Sequence, residues 1–169
     1  MSTGSRSKRT QSLTDPSEYE STVPEIPMLQ RLSEGTRKAV SQLMLQISKA
    51  YELSPGEILY ERGQEDENTG ALLVRGTMRV RRRGGEPIFV EAPEILGEIR
   101  HLLKATERSA TVEAENDVTV LEFSWPDFDY MATKLEGLSP AQFQEFQAVL
   151  RQWAKERLAQ LGGEDSDAL

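Results

Sequence analysis

The chain has 169 residues, 20 basic against 28 acidic, with a formal charge of -8 and no cysteine. That length fits one domain with a real core, and the acidic balance excludes a general nucleic-acid binder, whose footprint would be basic. Without cysteine neither a disulfide framework nor a thiolate metal site is available. Because no apolar run of spanning length and no charged-then-apolar leader is found, a cytoplasmic protein with no membrane span is expected.

Residues 1–22 are rich in Ser, Thr and charge and read as a disordered tail. Arg6, Lys8 and Arg9 in it form a solvated basic patch. A single domain is expected over 23–161. Pro24 and Pro27 punctuate its lead-in, and Val40, Leu43, Met44 and Ile47 recur at helical spacing. They predict a helix over 33–49, with Ser33 as N-cap and Glu34 in the first turn.

Short strands divided by glycines are predicted over 51–124. Ile58 and Tyr60 alternate between breaks at Pro55-Gly56 and Gly63. Leu72 and Val74 precede a turn at Gly76, Met78 and Val80 follow it, and Gly84-Gly85 closes a hairpin before the strand in PIFVEAP. Many short strands with regular turn signals predict a barrel or jelly roll. Arg79, Arg81, Arg82 and Arg83 crowd one hairpin tip, read as solvated.

The stretch from Ile95 to Val112 carries the chemistry. Gly97 permits a positive φ or a close backbone approach. Ionised Glu98 accepts only and suits a pair of sugar hydroxyls. A short helix from Ile99 would turn its free amides to the same spot, where an anion is welcome. Arg108 brings a charged planar fork that fits phosphate oxygens, with the Ser109 hydroxyl beside it and Ala110 next. A carboxylate for a sugar and a cation with amides for a phosphate together describe a sugar-phosphate site. The bland alternative is a structural salt bridge between Glu98 and Arg108. His101, the single histidine, reads as a packed or surface residue.

Thr111 to Glu113 and Val118 to Phe123 read as the last strands, with Asn116-Asp117 as their turn. C-terminal helices are expected over 126–161. Ser139, Pro140 and Gln142 make a capping-box start, and Phe143, Phe146, Leu150, Trp153 and, after a slip at Arg157, Leu161 form an apolar stripe. Gly162-Gly163 stops the helix, and 162–169 is an acidic tail.

Gly97-Glu98-Ile99, followed at a matching interval by Arg108-Ser109-Ala110-Thr111, resembles the phosphate-binding cassette of cyclic nucleotide-binding domains. These occur in catabolite activator proteins and in regulatory subunits of cyclic-AMP-dependent kinases. Gly56, Gly63 and Gly76 extend the resemblance over roughly Tyr51 to Tyr130. It implies a mainly β fold: a jelly-roll-like β-roll barrel with an N-terminal helix and C-terminal helices. It also implies that Glu98 binds the ribose 2′-hydroxyl and that Arg108 and Ser109 bind the cyclic phosphate. The candidate ligand-binding set is Gly97, Glu98, Ile99, Arg100, Arg108, Ser109 and Ala110. Arg100 stands where the family has Ala or Gly, and would crowd the pocket, add a phosphate contact or point to solvent. The final helix would pack on the barrel, close over the base as a lid, or pair with its copy in a homodimer.

The expectation is a non-catalytic regulatory module that binds a cyclic nucleotide, cAMP rather than cGMP, and signals to a partner protein through its C-terminal helix. The alternative is a domain that kept the fold, lost the ligand and serves as a protein-interaction scaffold. One histidine cannot build a cupin-like metal site, and no P-loop or nucleophile elbow is found, so neither an enzyme nor a cofactor is expected. No helix-turn-helix follows the last helix, so a stand-alone sensor rather than a DNA reader is expected.

Overall fold

Alternating apolar residues and glycine-marked turns give strands that all pair antiparallel. The computed structural model describes residues 10–11, 14–64, 67–81, 84–98, 101, 108 and 110–160. In chain order the strands are β1 (Thr10–Gln11), β2 (Lys49–Leu53), β3 (Ile58–Tyr60), β4 (Thr69–Arg75), β5 (Thr77–Arg81), β6 (Ile88–Glu91), β7 (Glu94–Leu96), β8 (Thr111–Ala114) and β9 (Val118–Ser124). The helices are α1 (Pro27–Gln30), α2 (Glu34–Ile47), α3 (Trp125–Thr133) and α4 (Pro140–Gln160). One sheet runs β1-β2-β9-β4-β7 and the other β3-β8-β5-β6. The molecule is therefore a two-sheet β-roll with flanking helices.

The run Ala71-Leu72-Leu73-Val74 is buried on both faces because β4 lies between two cores. Leu72 and Val74 join Leu121 and Phe123 against the helices, in a cluster with Met44, Phe128 and Phe146. Ala71 and Leu73 face the second sheet with Met78, Leu96, Val112 and Val120. Each fully buried aliphatic side chain contributes roughly 1.5–3 kcal/mol. The first sheet is thus fixed from both sides, and its far end can support a cavity. Among the described residues, no helix is long and apolar enough to cross a membrane.

Several local outcomes differ from the sequence reading. Part of the segment expected as a tail is ordered: Thr10 and Gln11 pair with Glu52 and Tyr51 on the edge of β2, and Pro16–Tyr19 forms a 3-10 turn capped by Asp15. Such backbone pairing needs an open edge, not a side-chain signature. Ser33 occupies the N-cap position of α2, but its side chain makes no cap bond. Glu145 of α4 accepts instead from the Ser33 N–H at 2.6 Å and from the Thr36 hydroxyl at 2.6 Å. Arg81 and Arg79, read as a solvated tip, reach Glu113 of β8 at 2.8 Å and 3.6 Å, while Arg82 and Arg83 lie outside the described residues.

Candidate functional site

The site begins where β7 ends. Gly97 takes φ +86°, and a Cβ there would come within 2.9 Å of the Thr69 carbonyl and 3.2 Å of Arg108 Nη1. Only a glycine lets this segment run so close to the start of β4, so its conformation is required rather than incidental. Glu98 follows with helical backbone, as does His101.

Arg108 is pinned twice through its main chain: its N–H donates to the Gln64 carbonyl at 3.1 Å and its carbonyl accepts from Gly63 N–H at 3.0 Å. Its Nη2 donates to the carbonyl and the hydroxyl of Thr69, each at 3.0 Å. The guanidinium carbon lies 3.6 Å from the centre of the Tyr60 ring, a cation–π arrangement. The side chain is therefore aimed inward and only 6% exposed.

Glu98 and Arg108 line one cavity of about 530 Å³, within the range that small-molecule sites use. Its lining combines aliphatic Val80, Ile88, Val90, Leu96 and Val112 with charged Glu94, Glu98, Arg108 and Arg157. Such a mixture suits a ligand with an apolar part and a charged, hydroxylated part.

Glu98 is 1% exposed, and a carboxylate so deeply buried needs a partner. Arg157, from the last turn of α4, supplies it. Its Nη1 donates to Glu98 Oε2 at 2.8 Å and to the Ile95 carbonyl at 2.8 Å, and its Nη2 lies 3.0 Å from Glu94 Oε2. Burial pushes the Glu94 carboxyl above its usual range, opposed by the Arg157 charge and by the Ile95 N–H, and reinforced by the Glu98 charge. A salt bridge does form at Glu98, then, but its partner is Arg157 on the final helix.

Of the seven residues singled out in the sequence, Gly97, Glu98, Arg108 and Ala110 all line this cavity. Ile99, Arg100 and Ser109 lie outside the described residues. His101 stacks on Trp125, ring centres 4.3 Å apart at 8°, as a packed residue would. Sequence reasoning missed Tyr60, Thr69, Glu94 and Arg157. Only Arg157 left a signal: a charge at the position where the stripe of Leu150 and Trp153 calls for another apolar residue.

The final helix packs on its own body. Phe146, Leu150 and Ala154 are buried, and Phe143, Val149 and Trp153 pack against the helix-side core. The predicted capping box is present: Gln142 N–H donates to Ser139 Oγ at 3.1 Å, and Ser139 N–H donates to Gln142 Oε1 at 3.0 Å.

Residues 51–134 match the family model described as the cyclic nucleotide-binding domain. None of the curated proteins matches the sequence. Among solved structures, the Thermus thermophilus catabolite activator protein is 21% identical with a TM-score of 0.58, over 80% of this chain and 61% of that one. The sensor domain of the transcriptional regulator DNR from Pseudomonas aeruginosa is 16% identical with a TM-score of 0.59, over 82% and 92%. The regulatory domain of Toxoplasma gondii PKA, solved with cAMP, is 17% identical with a TM-score of 0.58, over 85% and 49%. The present chain thus spans about half of the solved Toxoplasma regulatory domain, and at such identities the likeness is one of fold.

Proposed function

The chain belongs to the cyclic nucleotide-binding domain family through residues 51–134, and from that premise we propose that it is a non-catalytic sensor of a cyclic nucleotide. The observation that carries this reading is the pairing of an inward, buried Arg108 with an inward, buried Glu98 on one cavity of ligand size. Arg108 would hold the cyclic phosphate, Glu98 would accept from the ribose 2′-hydroxyl, and the aliphatic lining would take the base. Ser109 and the amides near Ile99 complete the proposed phosphate contacts, and cAMP is expected to bind more tightly than cGMP.

The output would be the far end of α4, which carries Arg157 to the cavity mouth and is the surface from which a partner protein would read the bound state. A ligand moves that helix only through differential affinity for its two positions, on the order of a few kcal/mol. The face of α4 left outward carries Gln144, Gln147, Arg151 and Lys155, which favours packing on its own barrel over pairing with a second copy. Light scattering is expected to give a monomer with and without nucleotide; a dimer would restore the pairing helix.

Titration calorimetry with cAMP and cGMP tests the sensor. Wild type should bind, and Arg108→Ala should bind about a hundred-fold more weakly or not at all, because charge-assisted bonds to phosphate are lost. One observation favours the second reading, a scaffold without ligand: Glu98 Oε2 already accepts from Arg157. Absence of heat from wild type at millimolar nucleotide would decide for that scaffold.

A further inference from the structure

We propose that Arg157 is the specificity-determining gate of this site: it occupies the sugar-binding acid in the ligand-free protein and yields it only to a ligand that returns a hydroxyl to Glu98. The inference rests on the cyclic-nucleotide reading above, and it concerns a residue outside the matched segment, which ends at 134.

Arg157 and a ribose hydroxyl would call on the same acid. Arg157 Nη1 sits 2.8 Å from Glu98 Oε2 while donating to the Ile95 carbonyl at 2.8 Å, so the fork is wedged between the acid and the β7 backbone. The Glu98 side chain is 2% exposed and that of Arg157 17%. The acid is thus reached from the cavity or from Arg157, not from bulk water. In the proposed exchange, a ribose hydroxyl donates to Glu98 Oε2 in place of Nη1.

Arg157 need not leave altogether. Its Nη2 is 3.0 Å from Glu94, and its guanidinium carbon lies 5.6 Å from the centre of the Trp153 ring. Glu94 and the ring can retain the displaced cation near the mouth. The last turn of α4 is otherwise held by a half-exposed pair, Arg31 with Glu156 at 2.7 Å. Exposed pairs of this kind contribute little, so the turn can shift by a short distance without opening the apolar part of the helix.

Two chemical consequences separate this gate from an ordinary structural ion pair. Removing Arg157 should tighten binding of any ligand that uses Glu98. It should leave unchanged the binding of a ligand that does not use Glu98, because such a ligand never competes with the guanidinium. By linkage, a partner that binds the displaced end of α4 raises nucleotide affinity by the factor by which nucleotide raises the affinity for that partner.

Calorimetry on wild type and Arg157→Gln, each with cAMP and 2′-deoxy-cAMP, is the test. The expected result is a gain of roughly five- to a hundred-fold in cAMP affinity for Arg157→Gln, with no gain for the 2′-deoxy compound. Glu94→Gln, which loosens the arginine while Glu98 stays paired, should give a smaller gain with the same selectivity and serves if Arg157→Gln does not fold. Binding of cAMP by wild type with equal or weaker binding by both variants overturns the gate alone. A gain that is equal for the 2′-deoxy compound overturns it too, since the effect would then be general loosening. Failure of every protein to bind either compound overturns the sensor reading and the gate with it.

Discussion

The two halves of α4 are held by different physics. From Ser139 to Leu150 the helix is anchored by a local capping box and by Phe146 and Leu150, both buried in the helix-side core. Beyond Trp153 and Ala154, which also pack inward, its end is held by guanidinium contacts: Arg157 on Glu98, Glu94 and the Ile95 carbonyl, and Arg31 on Glu156. Apolar burial is non-directional and lost only by unpacking, whereas ion pairs and hydrogen bonds can be exchanged one for one with a ligand. On the proposed gate, the first part is the anchor and the end of the helix the arm that yields.

The strongest way to break that division is to empty the anchor. Phe146→Ala should destabilise the fold by about 3–5 kcal/mol, the range for deleting a buried aromatic side chain, read as a drop in denaturant midpoint at unchanged slope. Arg157→Gln should cost less, because it removes a partly exposed ion pair and leaves no void in the apolar core. Equal losses for the two would show that the arm is as structural as the anchor.

How much of this was legible in the sequence follows the same line. Ser139, Pro140 and Gln142 could be read because a capping box is written within four residues, and Leu72 and Val74 of β4 because they alternate up to the turn at Gly76. Gly97, Glu98 and Arg108, which line one cavity, could be singled out by their residue types and spacing. Arg157 was not: a lone charge on an apolar stripe acquires meaning only from Glu98, 59 residues earlier in the chain. Gly70 was likewise unremarked, although a Cβ there would meet the Phe123 and Trp125 rings at 2.8 and 2.9 Å, a contact fixed by the sheet and not by its neighbours in sequence. The acid that serves the α2 N-terminus, Glu145, stands 112 residues from Ser33.

That acid offers a sharper test of the anchor. Glu145→Ala should cost about 1 kcal/mol, the value of a helix cap, and loosen the hold of α4 on α2. The Ser33 N–H, then the Thr36 hydroxyl, hold the Glu145 carboxyl below its usual range. Its contribution is therefore present above the unfolded carboxylate value and lost as pH falls through the lower folded value. Melting curves of wild type and variant should converge on acidification. Curves that stay parallel would mean that these bonds do not carry the anchor.

The smallest effect belongs to Glu94, and its sign distinguishes which acid restrains the arm. Burial, the largest influence, raises its carboxyl, and the Arg157 charge does not fully offset it. A raised folded value means that the protonated form is favoured by folding, so its stabilisation is complete below the unfolded carboxylate value and is lost as pH rises through the raised one. As pH rises from the unfolded carboxylate value through the raised folded one, wild type should therefore lose thermal stability relative to Glu94→Gln. That outcome fits an arm held chiefly by Glu98, with Glu94 as the place to which the released guanidinium retires. If wild type instead gains on the variant as pH rises, the pull of Arg157 outweighs burial, Glu94 is the principal restraint, and displacement from Glu98 alone would not free the end of the helix.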